Sequence, residues 1–260
     1  MKKTLIMTSI ALVLLLAVVA AGLNVIFTVS YIEASFSTFS DEGEAEAQAL
    51  KGELDAFVGK SLTFLKLNEV EKTVEKHPSF RVESVKKKFP KTVEISIQER
   101  RELFAYQMND GQFAMIDSEG MCVRLSDDNI SRTGGENVLL KNFTLPLTVG
   151  QKVDEKYFDA LLIAFAGFEE TIADVRANVR EVILKISGNA DNPLTNLFEI
   201  EMQEGVIVEM INPLSRAREK AQKVMEIYNE LGDIDKMYGC ITVTESASGE
   251  INAVYFERRT

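Results

Sequence analysis

The chain has 260 residues, is 46% hydrophobic and 27% charged, and carries a formal net charge of −11 with a single histidine. That apolar content supports a packed core and excludes wholesale disorder. The acidic balance argues against nucleic acid and against broad attraction to anionic lipid.

The N-terminus opens with Lys2 and Lys3, followed by a run from Thr4 to Ile32 without a charged residue. A bilayer core takes about 20 apolar helical residues, and positive charge stays on the cytoplasmic side. The expectation is a transmembrane helix over 4–29, a cytoplasmic tail of residues 1–3, and an extracytoplasmic remainder. A cleavable signal peptide ending near Val19-Ala20-Ala21 is the rival. Its apolar core would span only about 7–15 residues, whereas this run continues through Leu23, Val25, Ile26, Phe27 and Val29, so an uncleaved anchor fits better. The remaining length exceeds the ~100–150 residues of a common domain, so two modest domains or one elongated one are expected.

Tyr31–Phe39 reads as a leading strand. Ser40 is placed to cap a helix through Asp41 and Glu42, whose buried face would be Ala47, Leu50, Leu54, Phe57 and Val58. Asn68 with Glu71 resembles a capping box, with Leu67 before it as a staple, and Pro78 closes that second helix. Phe80–Phe89 and Val93–Ile97 follow as strands around the Phe89-Pro90-Lys91-Thr92 turn. In the second, Val93, Ile95 and Ile97 share one face. In the first, parity changes between Val82 and Val85, which predicts a bulge.

Beyond Glu102, short strands are expected at Phe104–Gln107, Gln112–Ile116 and Met121–Leu125, with a hairpin turn at Asp117–Gly120. Asp127–Asn137 reads as a polar loop. Asp154–Ile172 carries a helical apolar pattern. Val182–Ile186, Leu197–Met202 and Val206–Ile211 read as consecutive antiparallel strands. Asn212-Pro213 reads as a cap plus first-turn proline for a helix to Leu231, stopped by Gly232. Cys240–Thr244 and Ile251–Glu257 close the chain.

No catalytic or cofactor motif emerges. His77, at a helix end before Pro78, reads as structural or solvated. HExxH, GxSxG, P-loop and GxGxxG patterns are all missing. Carboxylate runs such as Glu42, Glu44 and Glu46 fit solvated helix faces better than a glycosidase pair. Cys122 and Cys240 lack CxxC spacing, which disfavours zinc. Two buried thiols is the preferred reading, with one disulfide as the alternative. No metal, cofactor or small-molecule substrate is expected. Lys86, Lys87, Lys88 and Lys91, with Arg100 and Arg101, form a basic region. It reads either as a solvated strand guarding a sheet edge, or as a contact for anionic headgroups or an acidic partner.

From Gly59 to Gly120 these features have a recognisable order: Gly59-Lys60-Ser61-Leu62, a short helix ending at His77-Pro78, Val82, Val85, Phe89-Pro90, Val93, Ile95, Glu99-Arg100 and Asp117-Ser118-Glu119-Gly120. This resembles the POTRA module of the bacterial cell-division family FtsQ/DivIB. The resemblance implies an α+β fold. A single transmembrane helix would be followed by a β-α-α-β-β POTRA domain over 31–101 and an elongated antiparallel β domain with flanking helices over 102–260. It implies a non-enzymatic divisome scaffold at the septum, single-pass in the plasma membrane. Such a scaffold binds FtsL and FtsB/DivIC-type partners and so regulates septal peptidoglycan synthesis. It places partner binding on the last strands and the helix before them, here on Ile251, Ala253, Val254, Tyr255 and Phe256. It gives POTRA a part in recruitment, for which Lys86, Lys87, Lys88 and Lys91 are candidates. The penultimate strand, Gly239–Thr244, lacks the Ile-Asp-Leu-like signature common in that family. Two alternatives compete: a POTRA-bearing receptor for exported polypeptides, and an envelope hydrolase using carboxylates.

Overall fold

A computed structural model of the chain describes residues 10–15, 22, 26–170, 172, 174–187 and 195–257. The chain divides into two units, Met1–Arg100 and Arg101–Thr260, each with its own hydrophobic core.

The structure corrects the expectation of a transmembrane helix over 4–29. Among the described residues, no helix is long and apolar enough to cross a membrane. Residues 1–9, 16–21 and 23–25 of that stretch lie outside the described residues. Its last residues are spent on the first unit instead. Thr28 bridges Ser61, Val29 is only 1% exposed, and the Val29 carbonyl accepts from Gly59 N–H at 2.8 Å.

The first unit runs β1 (Tyr31–Ser37), α1 (Asp41–Leu54), a 3-10 turn (Asp55–Phe57), α2 (Leu67–Glu75), β2 (Phe80–Lys88) and β3 (Thr92–Glu99). The sheet order is β1-β3-β2, with β1 parallel and β2 antiparallel to β3. A parallel neighbour needs a long crossover, and the two helices supply it. Ser40 starts α1 as expected, its Oγ accepting from Gly43 N–H at 2.9 Å. The helices lay Leu50, Leu54, Val70 and Val74 on Val93, Ile95 and Ile97 of β3, all fully buried. Each such side chain contributes roughly 1.5–3 kcal/mol. β3 is flanked on both sides, which is why its alternation is so clean. The expected bulge in β2 falls between Val82 and Ser84. Two local expectations change. Val58 is exposed, and α2 begins at Leu67 with Lys66 as its N-cap and no side-chain cap bond, so Asn68 and Glu71 form no capping box.

The second unit contains a nine-stranded sheet in the order β12-β11-β10-β9-β8-β7-β4-β5-β6. Its elements are β4 (Glu102–Gln107), β5 (Phe113–Asp117), β6 (Cys122–Ser126), β7 (Val138–Lys141), α3 (Lys156–Glu169) and β8 (Val179–Lys185). They continue with β9 (Leu197–Met202), β10 (Ile207–Ile211), α4 (Ala217–Glu230), α5 (Asp233–Tyr238), β11 (Gly239–Glu245) and β12 (Ile251–Glu257). The expected antiparallel domain is in fact mixed: β4–β7, β7–β8 and β10–β11 are parallel. The α3 crossover makes the β7–β8 pair possible, and α4 with α5 does the same for β10–β11. Phe158, Leu161, Phe165 and Phe168 of α3 and Ala221, Val224 and Met225 of α4 are buried with Val182, Ile200, Val208, Ile241 and Val243 of the sheet. Asn212 is not the expected helix cap. It takes a left-handed φ of 49°, as does Arg216 immediately before α4. Lys220 Nζ, wholly buried, donates to the Ile211 and Asn212 carbonyls at 2.9 and 2.8 Å, fixing this turn from beneath. Leu214, within the turn before α4, is 38% exposed.

Candidate partner-binding surfaces

β12 is an edge strand, paired with β11 on one side only. Its register opposes Tyr255 to Ile241 and Ala253 to Val243, whose side chains are buried under the helices. Alternation therefore turns Ile251, Ala253 and Tyr255 inward, where they pack on the core. Val254 and Phe256 face the other way and are 48% and 55% exposed. The five partner residues expected from the sequence thus separate into three that brace the strand and two that present themselves. The helix expected to join them, α4, buries Ala217, Ala221, Val224, Met225 and Tyr228 on one face and exposes Arg218, Glu219, Glu226, Asn229 and Glu230 on the other.

The C-terminal edge is held rigid. Tyr255 Oη donates to the Asp235 carbonyl at 3.3 Å, and its ring packs where a side chain on Gly239 would lie. Tyr228 Oη donates to Glu204 at 2.6 Å, and Lys236 reaches both that carboxylate and the Tyr228 ring. Burial pushes the Tyr228 phenol well above its ordinary value, and its hydrogen bond draws Glu204 down. These contacts fasten α5, an element the sequence reading missed. It leaves Ile234, Met237 and Tyr238 at 75%, 55% and 50% exposure, an apolar surface on the helix that leads into β11, the neighbour of the edge strand. Its only sequence signal is a glycine followed by Asp233 and Asp235, a first-turn pattern too short for helical periodicity. From Glu226 to Glu257 this part of the chain carries seven carboxylates and one lysine.

The lysines of the first unit do not form a single patch. Alternation puts Lys86 and Lys88 on one face of β2, opposite Glu94 and Thr92, with Lys88 Nζ 3.0 Å from Glu33. That contact raises the Lys88 pKa. Lys87 faces the opposite way and donates to the Thr63 carbonyl at 3.0 Å. Lys91 lies in the β2–β3 turn.

The remaining candidates are accounted for by structure. His77 Nε2 lies 3.0 Å from Glu53 at the end of α2. Cys122 is buried in β6, and burial pushes its thiol up to about 11, far from a nucleophile. Cys240 is on β11, seven strand spacings of about 4.8 Å away. A disulfide needs Cα atoms within about 7 Å, so the alternative of one bridge is ruled out.

Residues 44–100 match a family model described as "POTRA domain, FtsQ-type". No curated protein matches the chain. Residues 44–100 of the first unit, from within α1 to the end of β3, are therefore a POTRA domain. The match is of the FtsQ type, and it supports the FtsQ/DivIB family assignment drawn from the residues. A domain of this type points to a cell-division protein.

Proposed function

We propose that this chain is a division scaffold that holds FtsL-like and FtsB/DivIC-like partners at the septum through β12, and so regulates septal peptidoglycan synthesis. The observation that carries this reading is an open edge strand on a rigid sheet, in a chain that bears an FtsQ-type POTRA domain. An edge strand offers its backbone N–H and C=O groups to an added strand, which gives affinity, while side-chain sites give selectivity. Val254 and Phe256 supply those sites, with Phe256 as the aromatic anchor. Ile251, Ala253 and Tyr255 keep the strand seated. POTRA contributes recruitment, with Lys86 and Lys88 on one face of β2, Lys87 on the other and Lys91 in the following turn as its candidate residues.

The test is co-purification of partner proteins from dividing cells with the full chain and with Val254→Asp/Phe256→Ala. The reading expects the partners with the wild type and not with the variant. Equal recovery with both removes β12 as the site. The receptor alternative rests on β1, the other open POTRA edge beside β2. It expects exported polypeptides to bind residues 1–100 without the second unit.

A further inference from the structure

We propose that one end of the POTRA domain lies on an anionic lipid surface, with Phe64 and Phe89 entering the bilayer interface and Lys60, Lys66, Lys87 and Lys91 meeting the phosphates. Three segments build this end. Val29 N–H donates to the Lys60 carbonyl at 2.8 Å and Leu62 N–H to the Phe27 carbonyl at 2.6 Å. Ser30 N–H donates to the Lys91 carbonyl at 2.8 Å. The Phe27 and Phe89 rings meet edge-on at 5.7 Å, and Lys87 ties β2 to Thr63. Phe64 is 75% exposed and Phe89 58%, with Ile26 and Tyr31 also open beside them. Exposed phenylalanines on two neighbouring loops form a protruding apolar tip, not a groove shaped for a protein segment.

Charge points the same way. Residues 26–33, 55–67 and 86–92 contain six lysines and two acids, Glu33 and Asp55. Among the described residues, Glu33 is engaged by Lys88, and the other lysines of these segments have no carboxylate partner. The opposite end of the domain, where α1 begins, carries Asp41, Glu42, Glu44 and Glu46. The domain is thus polarised within a chain whose net charge is −11. Lysines near an anionic leaflet each strengthen binding about fivefold, and aromatic residues favour the interface. The uncharged apolar run that begins at Thr4 joins the domain at this same end. None of this depends on the division reading.

The chain contains no tryptophan, so Phe64→Trp places a lone reporter at the tip. Full-length protein is mixed with vesicles of phosphatidylcholine alone or with phosphatidylglycerol, each with brominated acyl chains. The expected result is a blue shift and bromine quenching of the Phe64→Trp reporter, strongest with phosphatidylglycerol. Lys60, Lys66, Lys87 and Lys91→Gln should weaken that lipid dependence by at least about a hundredfold. Circular dichroism confirms that each variant is folded. A Glu44→Trp reporter at the acidic end should stay in water. A Phe64→Trp reporter that remains in water on phosphatidylglycerol, or responds equally after the lysines are replaced, overturns the proposal. An acidic protein would then be the occupant to seek.

Discussion

Glu99 explains why a Glu-Arg pair closes the third POTRA strand. It is 3% exposed and accepts from Phe39 N–H at 2.5 Å, from Ser40 N–H at 3.0 Å and from Ser40 Oγ. One carboxylate thus pins the start of α1 to the end of β3, against Gly43, where a side chain would collide with it. Arg100 Nε then donates to the Phe80 carbonyl at 3.2 Å. Glu99→Ala strands two backbone donors and should cost about 2–3 kcal/mol by urea unfolding. Lys220→Met likewise takes the buried ammonium donor from the Ile211 carbonyl, while the Asn212 carbonyl keeps the Ser215 N–H at 3.1 Å, and the same measurement should show a loss of about 1–3 kcal/mol. Cys122 gives a pH prediction. Its folded pKa is raised, so the native state keeps a proton that the unfolded state releases. The contribution is intact below the ordinary value of 9.0 and is lost as pH rises through about 11. Cys122→Ala should flatten the loss of stability over that alkaline window, and in the wild type this thiol should resist alkylation at pH 8.

At the scale of elements, β12 separates stability from partner capture. Tyr255→Phe removes the hydroxyl held by Asp235 and should lower the urea midpoint. Phe256→Ala alters an exposed position, so stability should change by no more than about 0.5 kcal/mol while partner recovery falls. Such elements were legible where the signal is local. The alternation of Val93, Ile95 and Ile97, the parity slip after Val82 and the Ser40 cap each write themselves into neighbouring residues. β7 was missed because Val138–Lys141 is only four residues long and follows a polar loop, yet it joins two parallel neighbours. The parallel β10–β11 pair was missed because strand partners are chosen by long-range packing, which periodicity does not encode. The start of α4 was misplaced because Lys220, eight residues downstream, settles the conformation around Asn212. In the candidate site, alternation showed that Tyr255 and Phe256 face opposite sides. Only the burial of Ile241 and Val243 shows which of the two is inside.

At the scale of the molecule, the chain leaves one unit after Arg100 and enters the other at Arg101. A cut after Leu125 would fall inside β6 and separate β4 from its partner β7. A fragment starting at Arg101 keeps the whole nine-stranded sheet. It should unfold in one cooperative transition in urea and retain partner capture, whereas residues 1–100 should not capture those partners. A chain that serves division must gather where the cell divides. A fluorescent fusion of the full chain is imaged in dividing cells, with and without depletion of the native protein. A role in division gives a midcell band and filamentous cells on depletion. An even distribution with normal division would contradict it.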